Sequence, residues 1–170
     1  MKPSHLNASN ATCRVYTFKE GLLSSIGHDL LLAFGAFTVT RREDESVAAT
    51  FDLRSLRVQG MVHAGTTTPL SPADHGRIDA STQKDVLAVD RYPSATVEGK
   101  GDAESFRGTL TLHGVTRPIT ATLSQSHGAC SVVATLTPSQ FGIKPFRAML
   151  GTLRVEDRVR IEIAWKEDVG

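Results

Sequence analysis

The sequence predicts an all-β, mainly antiparallel fold. Apolar and polar residues alternate with a period of two in several segments, which is typical of strands with one buried and one wet face. About eight such segments are separated by turn residues, and they are accompanied by one modest helix. The chain has 170 residues, enough for one domain with a sizeable core. Strands at this spacing form a sandwich or a barrel, and periodicity alone does not choose between the two.

The alternation is clearest near the C-terminus. One face there carries apolar residues, namely Val159, Ile161, Ile163 and Trp165. The opposite face carries charged residues, namely Arg158, Arg160, Glu162 and Lys166. Two earlier segments repeat the pattern with the apolar sets Val47, Ala49, Phe51 and Leu53, and Val132, Ala134 and Leu136. Such half-buried strands indicate antiparallel pairing, because parallel strands are covered on both sides and read as unbroken apolar runs.

Residues 108–123, GTLTLHGVTRPITATL, predict a β-hairpin. A two-residue loop at Gly114–Val115 would place Leu110 opposite Ile119, so that apolar residues face apolar ones. A three-residue loop would mix the two faces, so a loop of two or four residues is favoured. Glycine at the first loop position suits a type II′ turn. Pro118 cannot donate to a ladder, so it indicates an unpaired site or a sheet edge, which would permit a homodimer.

The middle of the chain predicts the helical part of the fold. Ser81 is a candidate N-cap for a helix over residues 82–89, which the Tyr92-Pro93 pair ends. A shorter helical turn is expected over residues 72–77. Residues 1–11 are polar and aperiodic, so we expect a flexible tail followed by a single domain over residues 12–170.

Composition excludes several functional classes. The 19 basic and 18 acidic residues leave a net charge of +1, which gives no electrostatic basis for binding nucleic acid. The longest apolar run, residues 30–34, is far shorter than the roughly 18 residues that span a bilayer. No apolar stretch of a secretory signal is visible near the N-terminus, so we expect a cytoplasmic protein. The two cysteines, Cys13 and Cys130, are expected to be free thiols.

The sequence carries no motif for catalysis, and we expect neither an enzyme nor a cofactor. The six histidines lack the spacing of metal ligands, and neither a GxSxG motif nor a glycine-rich phosphate loop occurs. His113 beside the hairpin turn is expected to face solvent or to bond to the turn. His28, followed by Asp29, lies between apolar stretches, so a contact to a ligand head group is a hypothesis for His28.

Several segments of the chain resemble the YceI-like family. They are Ile26-Gly27-His28-Asp29, Tyr92-Pro93, Gly108–Leu123, Phe141-Gly142-Ile143 and the closing run Val155–Ile163. The resemblance covers about Val15 to Trp165 and implies an eight-stranded, lipocalin-like barrel with one or two short helices packed at its side. It also implies non-catalytic binding, carriage or sequestration of a long-chain isoprenoid-type lipid, such as a polyprenyl chain or a quinone tail. Many members of the family are exported to the periplasm.

An eight-stranded barrel is either filled by its own side chains or holds one small ligand. Small residues at inferred inward positions favour a cavity. The candidate ligand-binding residues are Ala49, Phe51, Leu110, Leu112, Ile119, Ala121, Ala134, Phe141, Phe146, Ile161, Ile163, Trp165 and His28. Two alternatives remain open: an enzyme or stress-response module that uses His28 and Asp29 at the barrel mouth, and a filled barrel that acts through its outer surface.

Overall fold

The computed structural model describes residues 4–20, 29–145, 147–148 and 153–167. One antiparallel sheet dominates this part of the chain. Its strands are β1 Ser4–Asn7, β2 Ala11–Lys19, β3 Asp29–Phe34, β4 Phe37–Arg41, β5 Ser46–Asp52, β6 Leu56–His63, β7 Thr66–Thr68, β8 Ser94–Gly101, β9 Ser105–Leu112, β10 Val115–Ser126, β11 Ala129–Leu136, β12 Arg147–Ala148 and β13 Leu153–Lys166. The helix α1 spans Pro72–Ser81. The predicted all-β, antiparallel class is confirmed.

The thirteen described strand segments outnumber the eight predicted because three long strands are interrupted and two short strands, β7 and β12, pair at the edges with β6 and β13. β1 and β2 run in one direction against β4 and β3, with Leu6 opposite Val39 and Val15 opposite Leu32. β5 and β6 likewise continue one another, since β5 pairs with β4 and β6 pairs with β3. The remaining pairings lead from β5 through β8, β9, β10, β11 and β13 back to β2. The ladder therefore returns to its start, and the sheet curls into a barrel.

The chain bends between β5 and β6, and a short helical turn fixes this bend. Residues 53–55 form a single 3₁₀ turn, and the Asp52 side chain caps it by accepting a hydrogen bond from the Arg54 backbone N–H at 3.0 Å. The facing interruption lies at Gly35, whose N–H donates to the Ser55 carbonyl at 3.1 Å. Both strands therefore bend at the same level, which turns the sheet around the interior.

Within the predicted flexible tail, residues 4–7 form a paired strand instead. Leu6 is buried in the core, and the turn that follows is held by its own side chains. Asn10 Oδ1 accepts from the Asn7 N–H and Asn7 Oδ1 accepts from the Ser9 N–H, both at 2.8 Å. The polarity of this segment reflects a side-chain-bonded turn, a role that asparagine and serine commonly take.

The predicted hairpin forms, but its loop lies one residue earlier than expected. Leu112 pairs with Val115, so the two-residue loop is His113–Gly114. Both loop residues have positive φ, 54° and 74°, as a type I′ turn requires, and the predicted type II′ turn is wrong. The register shifts by two residues, which leaves the same side chains facing inward. The His113 ring lies 4.5 Å from the Tyr92 ring, between centroids.

The helical segment begins ten residues before the predicted cap. Ser71 is the N-cap, and its Oγ accepts a hydrogen bond from the Asp74 N–H at 3.2 Å. Pro72 occupies the first helical turn, where proline is preorganised. Ser81 is the last residue of α1, and the chain continues into a single π-helical turn over Thr82–Val86. The two predicted helical pieces are therefore one continuous segment.

None of the helices in the described part of the chain is long and apolar enough to cross a lipid bilayer. Cys13 and Cys130 are both free and buried.

Candidate functional site

The barrel contains a cavity whose wall is built from the inward residues of its long strands. The cavity measures about 300 Å³, at the lower end of the range for small-molecule pockets, roughly 300–1,000 Å³. Its lining is almost entirely aliphatic and aromatic. Among the residues that the structure describes, the charged ones on the lining lie near its two ends, with Arg41 and Asp102 at one end and Lys144 and Glu156 at the other.

Most of the residues predicted to bind a ligand lie on this wall. Ten of them line the cavity: Ala49, Phe51, Leu110, Leu112, Ile119, Ala121, Ala134, Ile161, Ile163 and Trp165. Phe141 does not line it, and its ring packs in the buried core instead, with the residue 2% exposed. Phe146 and His28 lie outside the described residues.

Asp29, which one alternative paired with His28 as an acid–base couple, has a structural partner. Its Oδ1 accepts a hydrogen bond from the Lys19 backbone N–H at 2.9 Å. This contact joins the end of β2 to the start of β3. The carboxylate therefore serves the connection between these two strands.

The prediction missed the part of the wall that comes from β2, β3 and α1. Val15 on β2, Leu30 and Leu32 on β3, and Ile78 on α1 all line the cavity. The alternation of Cys13, Val15 and Thr17 with polar and aromatic neighbours was the available signal for β2. For β3 the run of three leucines hides the period, because Leu31 on the outer face is buried as well.

Two parts of the wall differ in how tightly their inward side chains are packed. We call β2, β3 and β6 with α1 the packed side, and β10, β11 and β13 the open side. On the packed side Leu30, Leu32 and Val58 are 3%, 4% and 0% exposed. Across the middle of the open side the inward residues are only half-buried, and they are Ile119, Ala121, Leu123, Val132, Ala134, Leu136, Val159 and Ile161. The empty volume therefore lies against the open side.

Hydrogen bonds from the helical segment hold the packed side in place. Asp79 Oδ1 accepts from the Val58 backbone N–H at 2.7 Å. Gln83 Nε2 donates to the carbonyls of Leu53 and Leu56, each at 3.0 Å. β8 pairs with β5, and the described ladder does not continue onto β6 beyond the bend. The helical segment therefore supplies hydrogen-bond partners for these backbone groups.

A pair of glycines lets an aromatic ring lie across the wall. Gly99 on β8 faces Gly108 on β9. A methyl group on either glycine would lie 2.7 Å or 2.6 Å from Cζ of Phe106. Only hydrogen at these two positions leaves room for the ring, which covers the glycines much as aromatic residues cover glycines in designed sheets.

One end of the cavity carries a buried guanidinium group. Arg41 is 9% exposed, and its Nε donates to the Gly101 carbonyl at 2.9 Å. The pKa of Asp102 at this end lies below its usual range, because its carboxylate accepts hydrogen bonds from the backbone N–H groups of Glu104 and Ser105 and lies near Arg41. Asp102 therefore stays ionised at neutral pH.

The described residues offer an apolar container with little reactive chemistry on its wall. Among them, no group of three or more potential metal ligands comes together. Burial raises the pKa of the Cys13 thiol to about 12, which keeps it protonated and poorly nucleophilic at neutral pH. What the geometry can do is surround a hydrocarbon chain and shield it from water.

Comparison with known protein families agrees with this architecture. A family model of the YceI-like domain matches residues 8–166. The chain belongs to the YceI-like family. The resemblance inferred from several segments, the hairpin at residues 108–123 among them, is thus confirmed, and the match covers nearly the whole barrel. No curated protein matches this YceI-like chain at a significant level.

Solved structures show the same YceI-like fold. A polyisoprenoid-binding domain from Saccharophagus degradans implicated in plant cell wall breakdown is 13% identical, with a TM-score of 0.61, over 98% of this chain and 99% of that one. BcnA from Burkholderia cenocepacia is 18% identical, with a TM-score of 0.58, over 92% and 96% of the two chains. A mutant CJ YCEI protein with a monobromobimane guest is 14% identical, with a TM-score of 0.51, over 81% and 84%. At these identities the likeness shows the fold alone.

Proposed function

We propose that this YceI-like protein binds a long-chain isoprenoid-type lipid, such as a polyprenyl chain or a quinone tail, and carries or sequesters it without chemical change. The observation that supports the proposal is the open side of the wall. Its apolar side chains point into the barrel and yet are only half-buried. Apolar surface of this kind gains free energy when a hydrocarbon chain covers it. One structural neighbour, the domain from Saccharophagus degradans, is described as polyisoprenoid-binding.

Burial of the chain supplies the driving force for binding. Each methylene taken from water contributes about 0.8 kcal/mol, so ten contribute about 8 kcal/mol before costs. The loss of translational freedom and the ordering of the chain offset several kcal/mol of this gain. Binding in the micromolar range or tighter then needs no charged contact, and selectivity comes from the length and width of the cavity.

The composition of the wall favours binding over catalysis. Catalysis of acyl or phosphoryl transfer needs an activated nucleophile or a positioned acid–base pair facing the substrate. The middle of this cavity is lined by apolar side chains, and the charged lining residues lie near its ends. The residues that would contact most of a bound chain therefore supply contact area without proton transfer.

Native mass spectrometry of freshly purified protein tests the proposal. The expected spectrum contains a non-covalent adduct in the mass range of lipids, which organic solvent removes and mass analysis of the extract identifies as an isoprenoid. The delipidated protein should then take up a fluorescent polyprenyl probe, and an unlabelled isoprenoid should displace it. Absence of any adduct together with no probe uptake by folded protein would contradict the proposal.

A further inference from the structure

Thr82 carries a buried hydroxyl group on the wall of the cavity. It lies where α1 passes into the π-helical turn, it lines the cavity, and the residue is 8% exposed. The other described lining residues with a hydroxyl side chain are Ser4, which is only half-buried, and Thr17, whose Oγ1 accepts from the Leu30 N–H at 3.2 Å. Among the described residues, no hydrogen bond uses the Thr82 hydroxyl.

The backbone of Thr82 is paired, in contrast to its side chain. A helical threonine hydroxyl commonly donates to the carbonyl three or four residues earlier. Here the carbonyls of Ile78 and Asp79 accept from the Thr82 backbone N–H instead. The Thr82 carbonyl accepts from the Leu87 N–H at 2.9 Å and closes the π turn, a feature found frequently at functional sites. A buried hydroxyl without a partner costs free energy, which a ligand oxygen would offset.

The structure holds this hydroxyl in a defined place. The next residue, Gln83, donates through Nε2 to two carbonyls at the bend between β5 and β6, each at 3.0 Å. The neighbouring residues of the helical segment that line the cavity are Ile78, Val86 and Leu87. These side chains are apolar, so on its own segment the Thr82 hydroxyl is the polar group that borders the cavity.

The donor count of a hydroxyl indicates which oxygen would suit it. Threonine has one O–H proton to donate and lone pairs to accept. A ligand carbonyl accepts this proton and brings no donor of its own. A ligand hydroxyl brings a second proton that needs an acceptor, and a phosphate brings charge whose desolvation one neutral donor does not offset. A neutral carbonyl therefore completes the pairing.

We propose that Thr82 donates a hydrogen bond to a carbonyl oxygen of the bound lipid, and that the protein thereby selects isoprenoid lipids with a neutral carbonyl group. This inference rests on the proposed lipid binding and adds the class of head group. The apolar wall accepts the tail whatever its head, and Thr82 distinguishes a tail that carries the carbonyl from one that lacks it.

Two ligands of matched shape test this assignment. They are geranylgeranylacetone, a ketone, and the hydrocarbon in which a =CH₂ group replaces its carbonyl oxygen. Each competes with the fluorescent polyprenyl probe for delipidated protein. The measured quantity is the ratio of the affinity for the ketone to that for the hydrocarbon, and comparing this ratio between variants cancels the hydration of the free ligands. In Thr82→Val, which keeps the shape and removes the hydroxyl, the ratio should fall at least about fivefold.

Three further variants separate recognition from a general effect on folding. Thr82→Ala also removes the hydroxyl and should lower the ratio to a similar extent. Thr82→Ser keeps the hydroxyl and should stay within about twofold of the wild type. Thr122→Val makes the same hydroxyl-to-methyl change at an exposed position on β10 that does not line the cavity, so its ratio should equal that of the wild type.

Urea unfolding of the delipidated protein gives a second readout. Valine and threonine have similar helix propensities, and Thr82→Val removes a buried group that has no partner. Its urea midpoint should therefore equal or exceed that of the wild type. A hydroxyl with a structural role would give the opposite result, because its loss would lower the midpoint.

The contrary outcomes are distinct. If Thr82→Val leaves the ratio unchanged while both ligands still displace the probe, the carbonyl inference is overturned and lipid binding stands. If Thr82→Val lowers the urea midpoint and weakens both ligands equally, the hydroxyl serves the fold and the inference is again overturned. If folded wild-type protein takes up neither the probe nor the two ligands, the proposed function fails together with it.

Discussion

The packed side and the open side of the barrel are built from the same kind of alternating strand. Only on the packed side does the helical segment cover the inward side chains. On the packed side, α1 lies against β6, and Ile78 contributes to the buried core. Inward leucines such as Leu32 are almost completely buried there. On the open side, inward residues such as Leu123 and Ile161 remain half-buried at the edge of the cavity.

The difference shows that an apolar inward face does not by itself make a packed core. Alternation determines which side chains point inward, but their burial depends on what fills the space beyond them. Here the helical segment covers one side, while the inward face of the other side borders the cavity. Stability should therefore depend mainly on the packed side, and binding mainly on the open side.

The largest expected effect comes from filling the cavity at the open side. Ala134→Trp places an indole where the wall is half-buried, and it should reduce uptake of a polyprenyl probe to background. Space beside Ala134 is available, so the free energy of unfolding should change by less than about 1 kcal/mol. Probe titration together with urea unfolding measures both quantities, and Ala121→Trp should behave in the same way.

The matched control for this change lies on the packed side. Ala11 on β2 is buried and does not line the cavity. Ala11→Trp should overpack its surroundings and lower the free energy of unfolding by about 1–3 kcal/mol, while the folded fraction keeps its affinity for the probe. If Ala134→Trp binds normally and Ala11→Trp does not, the two sides have been assigned the wrong way round.

Truncating one leucine on each side should separate their contributions to stability. Leu32→Ala removes packed methyl groups and leaves a void, so it should cost about 3 kcal/mol. Leu123→Ala enlarges a cavity that already exists, and it should cost about 1 kcal/mol, since fewer contacts are lost. Urea denaturation of the delipidated variants gives both values, and equal costs would argue against a cavity at the open side.

The glycine pair beneath Phe106 should be sensitive to a single added methyl group. Gly108→Ala would press Cβ against the Glu98 carbonyl oxygen and bring it within 2.6 Å of Cζ of Phe106, and the forced shift should lower the free energy of unfolding by about 2 kcal/mol. Gly101→Ala on the neighbouring strand is the control, because its nearest atom is Cγ2 of Val47 at 3.4 Å. It should change the stability by less than about 0.5 kcal/mol.

Sequence periodicity predicted the inward faces of the late strands well, because a face depends only on the parity of residue numbers. The hairpin illustrates this point. Its loop lies at His113–Gly114 instead of Gly114–Val115, yet the shift of two residues leaves Leu110, Leu112 and Ile119 on the predicted face. Phe37, Val39 and Arg41 share a face by the same rule, so Arg41 on the wall could have been predicted from the sequence.

Other features depend on contacts between distant segments, which local patterns do not encode. The two predicted helical pieces, residues 72–77 and 82–89, proved to be one continuous segment, because Ser81 does not cap a new helix and Ile78 between the pieces is buried in the core. The three leucines of β3 read equally well as a buried strand or as part of a helix. The volume of the cavity depends on how α1 packs against the sheet. The alternation of apolar and polar residues along the strands could therefore indicate a cavity but not its volume.

The smallest expected effect concerns Cys13, on the packed side. Burial raises the pKa of its thiol from 9.0 to about 12. Between these values the unfolded chain loses the proton and the folded chain keeps it, so the contribution to stability is complete below pH 9 and is lost as the pH rises toward 12. The free energy of unfolding should therefore fall by about 1.4 kcal/mol per pH unit between pH 9.0 and about pH 12. Urea unfolding near pH 8 and near pH 10 should show this fall in the wild type and in Cys130→Ala, and a smaller fall in Cys13→Ala, where burial still raises the pKa of the Cys130 thiol. A fall of equal size in Cys13→Ala would mean that the thiol is not desolvated and that the packed side admits water.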